Sequence, residues 1–409
     1  MTEPTTRLRL SGTNLERAAD HNQRVTLHAI RINGLLTRVE LAEITGLTAP
    51  AIANITKRLL ADGLIEEAGQ RRGGRGQPPT KLVINRDACH SIGVNIDRDH
   101  ITVVLVNFAG ETLARVSEEV NFALPDHVRS LYRRSIKEMM RSAGVKESSL
   151  VGLGVAVPDD LGLVDLPGRP AAYAKWDKID MSDLFDKPFA LPVFVENDAA
   201  AAAMGEMQLG LGQKHSTFFY ILISSGLGGG LVIDGAYFRG VNGRSGELGF
   251  MHAPGSGPRD QIQNLVSLSG LAGQLERDGL SLADVMGVAN LSPAAEKCVD
   301  GWIGQAAEHL YVPLEAVNCL INPGVVLVGG RLPSAIVERL AARAHDLLRD
   351  QATNVPVIAP VARAALSDDA PAVGAAILPF SHFLLPKPGA LWKVPATSDA
   401  NGRAIQPAR

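Results

Sequence analysis

Residues 37–50 read Thr-Arg-Val-Glu-Leu-Ala-Glu-Ile-Thr-Gly-Leu-Thr-Ala-Pro, and the predicted structure of the N-terminal part of the chain rests on this segment. Thr37 is followed three residues later by Glu40, which is the pattern of a capping box, so a short helix is predicted over residues 38–45. Gly46 predicts a tight turn at the end of that helix, because glycine adopts left-handed backbone angles without strain.

A second helix of the pair is predicted over residues 49–61, with Thr48 as its cap, and a longer helix over residues 15–32 precedes both. Two short helices around a glycine turn are typical of a helix-turn-helix. Asparagine pairs with adenine, and lysine or arginine pairs with guanine or phosphate. The residues expected to contact DNA on this unit are Thr48, Ala49, Ala51, Asn54, Lys57 and Arg58.

A basic segment without acidic residues follows the helix pair. Strands are predicted at residues 64–66 and 81–84, paired around a tip rich in arginine and glycine. Arg71, Arg72 and Arg75 in this tip can follow the phosphate backbone or enter a minor groove. The alternative is a solvated helical pair with a flexible linker. The hairpin beside the helix pair favours a winged helix-turn-helix that binds a double-stranded DNA operator.

Composition and charge limit the remaining choices. The 409 residues are 46% hydrophobic and 20% charged, which indicates two or three globular domains and excludes global disorder. No apolar run approaches the roughly 20 residues of a membrane helix, and three scattered cysteines predict a reducing, cytoplasmic location. Residues 1–90 carry 13 Lys and Arg against 9 Asp and Glu, and the rest carries 27 against 34. An anionic partner is therefore expected for the N-terminal part alone.

The remainder of the chain has an α/β pattern. Strands and crossover helices repeat one plan twice, which predicts two α/β lobes with a cleft between them. Residues 224–230 are predicted as a glycine-rich turn between two strands, and a late strand is predicted near residues 355–358. The expected division is a winged helix-turn-helix domain at 1–88, a first lobe at 89–205, a second lobe at 206–369, a C-terminal helix packing back on the first lobe at 370–381, and a poorly ordered tail at 382–409.

Four motifs occur in the order found in the ROK family of sugar kinases and repressors. They are Glu-Asn-Asp-Ala at 196–199, Ser-Gly-Leu-Gly-Gly-Gly at 225–230, Glu-Leu-Gly at 247–249 and Asn-Pro-Gly-Val-Val-Leu-Val-Gly-Gly at 322–330. The N-terminal part looks like that of the xylose and N-acetylglucosamine repressors in this family. The resemblance covers roughly residues 14–380. It implies a two-lobed body similar to actin and hexokinase.

The kinases of this family need two glycine-rich phosphate loops, a metal-binding aspartate and a general base. By resemblance, Asp198 matches the base and residues 225–230 match the second loop. The first loop, Asp-x-Gly-Gly-Thr in the kinases, is Asn-Ile-Asp-Arg-Asp at residues 95–99. Asn95 is a weaker partner for Mg²⁺, and the carboxylate of Asp97 would crowd and repel a nucleotide. We therefore expect no enzyme activity, no cofactor and only a vestigial base. A sugar kinase with an attached DNA-binding domain is the alternative.

The zinc motif of the family is absent from the sequence. Family members usually follow Glu-x-Gly-His with a cysteine cluster, but residues 247–259 contain no cysteine. Structural zinc takes about four nitrogen or sulfur ligands, so the lone His252 cannot hold it and no metal is expected. His252 either points into the cleft or is an ordinary loop histidine.

The resemblance implies which residues would bind a sugar in the cleft. Asn197, Asp198 and Glu247 match family residues that bind sugar hydroxyls, and His252 is a fourth candidate. The alternative for Asn197 and Asp198 is that they only cap the helix that follows them.

Three departures from the family pattern, at Phe250, Ala200 and residues 157–160, imply a sugar or sugar derivative of uncommon shape, or no sugar. The sequence as a whole predicts a transcriptional repressor that senses a carbohydrate-like effector. It is expected to bind DNA as a homodimer or higher homo-oligomer, with no membrane partner. A DNA-binding architectural protein with a degenerate body is the third possibility.

Overall fold

The computed structural model describes residues 15–70, 80–163, 169–253, 260–366 and 369–386. Three β-sheets organise these residues, one of three strands near the N-terminus and two of five strands in the body. We call the part up to Ile84 the head and the two larger parts the lobes. Across these ranges, no helix has both the length and the apolar character needed to cross a membrane.

The head contains three helices and three strands. Their bounds are α1 Leu15–Asn33, β1 Leu36–Thr37, α2 Arg38–Thr45, α3 Ala49–Ala61, β2 Ile65–Gln70 and β3 Thr80–Ile84. The capping box of α2 is formed in full, and Gly46 closes the helix with φ of 67°. β1 was not expected; it pairs antiparallel with β3, which also pairs with β2. The sheet therefore holds α1, α2 and α3 against a small core.

The expected side-chain cap of α3 is not formed. Thr48 has the extended backbone of a cap residue, but its hydroxyl accepts no hydrogen bond from the helix. A capping side chain bonds the N–H of the second or third helical residue, and here the second is Pro50, which has no N–H. This leaves the Thr48 hydroxyl without a role in the helix.

The first lobe is built on a mixed sheet in the order β6-β5-β4-β7-β8. Its elements are β4 His90–Ile96, β5 His100–Asn107, β6 Thr112–Glu119, α4 Pro125–Ala143, β7 Leu150–Val157, α5 Met181–Leu184 and β8 Val193–Asn197. β4, β7 and β8 run parallel, and β5 and β6 form an antiparallel meander with β4. Residues of α4, including Leu131, Tyr132 and Ile136, are buried against one face of this sheet.

The second lobe has a sheet in the order β11-β10-β9-β12-β13. Its strands are β9 Phe218–Ile223, β10 Leu227–Ile233, β11 Ala236–Tyr237, β12 Val325–Gly330 and β13 Val361–Arg363, and α7 Leu268–Arg277, α8 Pro293–Leu320 and α9 Ser334–Gln351 cover it. The strand expected near residues 355–358 is wrong, since pairing with β12 begins at Val361. Pro356 and Pro360 lack backbone N–H groups, which explains why the strand starts after them.

Two helices lie between the lobes, α6 Asp198–Leu209 and α10 Ala370–Phe383. α10 lies directly on the first sheet: a Cβ added to Gly93 or Gly154 would collide with backbone of α10. α6 lies against the second sheet in the same way, with Ala199 and Ala203 filling the space above glycines of β10. The boundary expected between residues 205 and 206 falls inside α6, which is one continuous helix.

The head shares its core with the body. Leu27 and Ile30 of α1 belong to the same buried cluster as Phe108, Phe380 and Leu385. The tail was expected to begin at residue 382, but α10 runs to Phe383 and Leu385 is buried. Apolar contact with the head holds these last residues in place. Residues 387–409 lie outside the described part of the chain.

Candidate nucleic-acid interface and interlobe site

The exposed face of α3 carries most of the residues predicted to contact DNA. Thr48, Ala49, Asn54, Lys57 and Arg58 are exposed, whereas Ile52, Thr56 and Leu59 point into the head. Asn54 and Lys57 lie three residues apart, so they share one face of the helix with Arg58 one position further. This face offers an amide and two cations to a partner.

Ala51 and Thr56 differ from the sequence analysis. Ala51 is half-buried rather than exposed, so it offers less surface than expected, while the neighbouring Ala53 is exposed. Thr56 was overlooked: it is buried, and its hydroxyl accepts a 3.0 Å hydrogen bond from Nε of Arg38. This bond ties α3 to the first turn of α2 and sets the angle of the exposed face.

β2 and β3 form the predicted hairpin beside α3. They pair antiparallel from Ile65 opposite Ile84 to Gln70 opposite Thr80. Arg71, Arg72 and Arg75 fall in residues 71–79, outside the described residues. Their contact with DNA stays a prediction.

Asp97 lies in residues 95–99, the segment that by resemblance matches the first phosphate loop. It follows β4 directly and is only 3% exposed. Its Oδ1 accepts hydrogen bonds from the backbone N–H of Arg98 at 2.7 Å and from the Oγ of Ser225 at 2.8 Å. Ser225 belongs to the second glycine-rich loop, so the two loops contact each other across the cleft.

Arg331 adds a second link between the lobes at the same place. It follows β12 in the second lobe and is 10% exposed at its side chain. Nη1 lies 2.6 Å from Oδ1 of Asp99 and 3.9 Å from Oδ2 of Asp97, and Nη2 lies 2.6 Å from Oε2 of Glu119. Arg331 is not predicted as a site residue from the sequence, because its three carboxylate partners are more than 200 positions away in the chain. We call Asp97, Ser225, Arg331, Asp99 and Glu119 the interlobe latch.

The glycines of the second loop have a packing role. Gly228, Gly229 and Gly230 belong to β10, so the prediction that they form the turn is wrong, and the turn is confined to residues 224–226. A Cβ on Gly228 would lie 2.8 Å from Cβ of Ala199, and one on Gly230 would lie 2.6 Å from Cβ of Ala203. These two positions need glycine because α6 approaches the strand closely.

Asn197 caps α6, and Asp198 is the first residue of that helix. Oδ1 of Asn197 accepts a 3.0 Å hydrogen bond from the N–H of Ala200, and Oδ1 of Asp198 accepts one of 2.8 Å from the N–H of Ala199. Asp198 is 7% exposed. Burial and the nearby carboxylates of Asp97 and Asp159 raise the pKa of Asp198 to about 7. Asp198 can therefore hold or release a proton near neutral pH.

Glu247 is held by Arg244, a residue that the sequence analysis overlooked. Nε of Arg244 lies 2.8 Å from Oε1 of Glu247, and its Nη1 lies 2.9 Å from Oδ2 of Asp160 in the first lobe. Oδ2 of Asp159 lies 3.7 Å from the same Nε. Burial and the neighbouring Glu247 raise the pKa of Asp159 to about 6. The only sequence signal was an arginine three positions before Glu247.

Asp159 connects two of the predicted residues electrostatically, because Glu247 helps to raise the pKa of Asp159 and Asp159 helps to raise the pKa of Asp198. His252 is not brought into that group. It is exposed, and its backbone bridges to Gln261. Phe250, two positions earlier, lies beside this group, because the guanidinium carbon of Arg244 is 5.9 Å from the centre of its ring. In the described ranges no three His, Cys, Asp or Glu side chains are arranged to hold a metal ion.

A winged helix-turn-helix head on a two-lobed α/β body, with polar contacts between the lobes, defines the class of protein. Residues 91–381 match the model of the ROK family, and residues 17–76 match the model of the MarR family. The chain belongs to the ROK family. The predicted family and the predicted fold class are thereby confirmed.

Relatives align along almost the whole chain. An uncharacterized protein, y4fQ, of Sinorhizobium fredii is 30% identical over 88% of this chain and 90% of its own length. The xylose repressor of Bacillus subtilis is 25% identical, with 89% of this chain and 96% of the relative covered. The DNA-binding transcriptional dual regulator NagC of Escherichia coli is 23% identical, with 84% and 90% covered.

Solved structures share the fold. A ROK family transcriptional regulator described as a homologue of the Escherichia coli Mlc protein has a TM-score of 0.66 at 21% identity, covering 90% of this chain and 97% of its own. A ROK family glucokinase of Streptomyces griseus, solved with glucose and AMPPNP, has a TM-score of 0.56 at 23% identity. The glucokinase covers 71% of this chain and 98% of its own.

Proposed function

We propose that the protein is a DNA-binding transcriptional repressor that senses a carbohydrate in the interlobe cleft. The observation that carries the DNA-binding part is the exposed face of α3, with Asn54, Lys57 and Arg58, beside the β2–β3 hairpin. Relatives named as repressors align over both the head and the body, which supports the same function here.

Binding to DNA is proposed to involve a dimer or a higher oligomer in the cytoplasm. Two recognition helices would then enter successive major grooves about 34 Å apart on a near-palindromic operator. Asn54 would contact a base edge, Lys57 and Arg58 would position the helix, and Arg71, Arg72 and Arg75 would add salt-dependent affinity.

The effector site is proposed to consist of Asn197, Asp198 and Glu247, joined by Asp159. Carboxylates and amides bind vicinal hydroxyls by paired hydrogen bonds. The cation of this group, Arg244, is already paired with Glu247 and Asp160. Since that charge is satisfied and the carboxylates outnumber it, the site favours a neutral or amine-bearing carbohydrate over a sugar phosphate.

We also propose that the protein has lost the kinase activity of its family. The carboxylate of Asp97 accepts a hydrogen bond from Ser225 of the second loop, and the guanidinium of Arg331 lies 3.9 Å from the same carboxylate. Phosphoryl transfer depends on electrostatic stabilisation of the phosphates and on Mg²⁺, and Asn95 is a poor metal ligand. The alternative, a sugar kinase with a DNA-binding domain, is supported only by the fold and by Asp198 at the position of the base.

Selection of genomic fragments bound by the purified full-length chain tests the proposal. We expect enrichment of a small set of near-palindromic sites, and genes beside them that name the effector pathway. Uniform recovery of fragments would contradict a sequence-specific repressor. Thermal shift against carbohydrates then separates a sensor from an architectural DNA binder, because ligand at 100 times its Kd stabilises by about 2.7 kcal/mol.

A further inference from the structure

We propose that α1 couples the two lobes to the DNA-binding head by bridging the ends of α6 and α10, with Arg31 as the positioning residue. This inference rests on the proposed function. It is carried by three features: the placement of α6 and α10 between the lobes, the contacts of α1 with both, and the interlobe latch.

α6 and α10 pack on the sheets of different lobes. α10 lies on the first sheet with no space for a methyl group at Gly93 or Gly154. α6 lies on the second sheet with the same closeness at Gly228 and Gly230. The two helices also pack on each other, because a Cβ added to Gly374 of α10 would lie 1.8 Å from the carbonyl oxygen of Ala201 in α6. Packed surfaces of this kind do not deform continuously but change by small sliding steps. A change in the angle between the lobes would therefore require α6 to slide along α10.

α1 contacts the ends of both helices through two arginines. Nη1 of Arg24 donates to the carbonyl of His382 at 3.0 Å, in the last turn of α10, and to that of Leu385 at 3.3 Å. Nη1 of Arg31 donates to Oε1 of Gln208 at 3.0 Å, in the last turn of α6. The two arginines are seven residues apart, which places them on one face of α1 about 10 Å apart.

Arg31 sits where the head, α6 and the first lobe meet. Its Nε donates to the carbonyl of Phe108 at 3.1 Å, and Nη2 is buried with no hydrogen-bond partner among the described residues. Phe108 packs edge-on against Phe380 of α10, with ring centres 5.5 Å apart. A shift of α6 against α10 would strain or break these contacts, and α1 would have to move with one helix or the other.

A double-mutant cycle with DNA binding as the readout tests the coupling without a known effector. Arg331→Met cuts the ion pairs of the interlobe latch, and Arg31→Met removes the contact of α1 with α6 while keeping an apolar stem. The probe is a duplex selected from a random pool by the wild-type protein. We expect Arg331→Met to change its affinity by about 5-fold or more, and Arg31→Met to reduce that effect.

When two substitutions lie at distant, independent sites, the double variant has the affinity expected from the two single variants to within about 2-fold. If the effect of Arg331→Met is the same within that limit in the Arg31→Met background, or if Arg331→Met leaves affinity unchanged, the inference is overturned. A larger reduction supports it. Arg141→Met, which breaks an exposed ion pair on α4, is the matched control and should add normally. Gln208→Met removes the same contact from the α6 side if Arg31→Met does not fold.

A wild-type protein that selects no duplex would overturn the proposed function instead. The coupling is then judged by amide hydrogen exchange in α1. Exchange altered by Arg331→Met in wild-type background, but not in Gln208→Met background, supports coupling. If Arg331→Met leaves the exchange rates in α1 unchanged, the proposed coupling is overturned.

Discussion

Ser225 and Asp97 face each other across the cleft, and the hydroxyl of Ser225 donates a 2.8 Å hydrogen bond to the Asp97 carboxylate. One residue comes from each lobe, and both lie in segments that by resemblance match the phosphate loops of the ROK kinases. Arg331, paired with Asp99 and Glu119, reinforces the contact. These contacts join the two lobes at this place.

Mg·ATP is the first ligand to test. At millimolar concentration it should neither raise the melting temperature nor support ADP release with any sugar of a panel, because the buried Asp97 carboxylate repels phosphate. The measurement is thermal shift with a coupled ADP assay, and a ROK glucokinase assayed in parallel is the control. Sugar-dependent ADP release would restore the kinase alternative.

Asp198→Asn should weaken the carbohydrate response by about 10- to 100-fold, since a hydrogen bond to a charged group contributes about 1.5–3 kcal/mol. The amide oxygen can still accept from the N–H of Ala199, and Asn197 still caps α6, so DNA binding should persist. Titration of the variant with the carbohydrates that stabilise the wild type checks the response. A normal response would remove Asp198 from the effector site.

Asp198 also predicts how stability depends on pH. Its folded pKa of about 7 lies above the ordinary value of about 3.9, so the carboxyl's contribution to stability is complete below about pH 4 and is lost as pH rises to about 7. The asparagine of Asp198→Asn cannot ionise. The free energy of unfolding of this variant should therefore rise relative to that of the wild type by about 2–4 kcal/mol as pH rises across that range. Denaturant unfolding at several pH values measures this, with exposed Asp177→Asn as control. A pH-independent difference between variant and wild type would refute the shift.

Replacing Arg71, Arg72 and Arg75 together by alanine should lower affinity for all duplex DNA. Each phosphate contact contributes about 0.9 to the slope of log K against log salt, so the slope should flatten by up to about 3. Binding is measured over a salt series. Alanine at the surface residues Arg129, Arg133 and Arg141 is the matched control. An unchanged slope would show that the hairpin tip does not touch phosphate.

Two threonines at helix starts should behave differently. Thr37→Ala removes the capping box of α2 and should cost about 1 kcal/mol of unfolding free energy. Thr48→Ala removes a hydroxyl that bonds nothing in α3 and should leave stability within about 0.5 kcal/mol. Chemical unfolding of both variants gives the comparison, and equal losses would contradict the capping geometry.

Local sequence chemistry predicted the head well. Thr37, Glu40 and Gly46 act within one helical turn, so their effects are visible in a short stretch. β1 was overlooked because two residues give no periodicity, and their pairing with β3 depends on chain folding some 45 positions away. The strand misplaced to residues 355–358 shows that two prolines outweigh an apolar pattern.

The candidate site was predicted only in part. Asn197, Asp198 and Glu247 stand in motifs, whereas Arg244 and Arg331 act through partners contributed by the other lobe. Glycines at residues 228–230 suggested a turn, but helix packing requires them in a strand. No local sequence pattern indicates how closely α6 approaches β10. Close contacts between segments that are distant in the chain could therefore not be predicted from the sequence.

The shared core of α1 and the body has a practical consequence for building hybrid regulators. The body is in contact with several residues of α1, namely Leu27, Ile30 and Arg31, so these residues contribute to the interior of both the body and the head. A graft that exchanges the entire head would remove part of the sensor's own interior. A junction placed after α1, which leaves that helix with its native body, is the one that should yield a stable, responsive chimera.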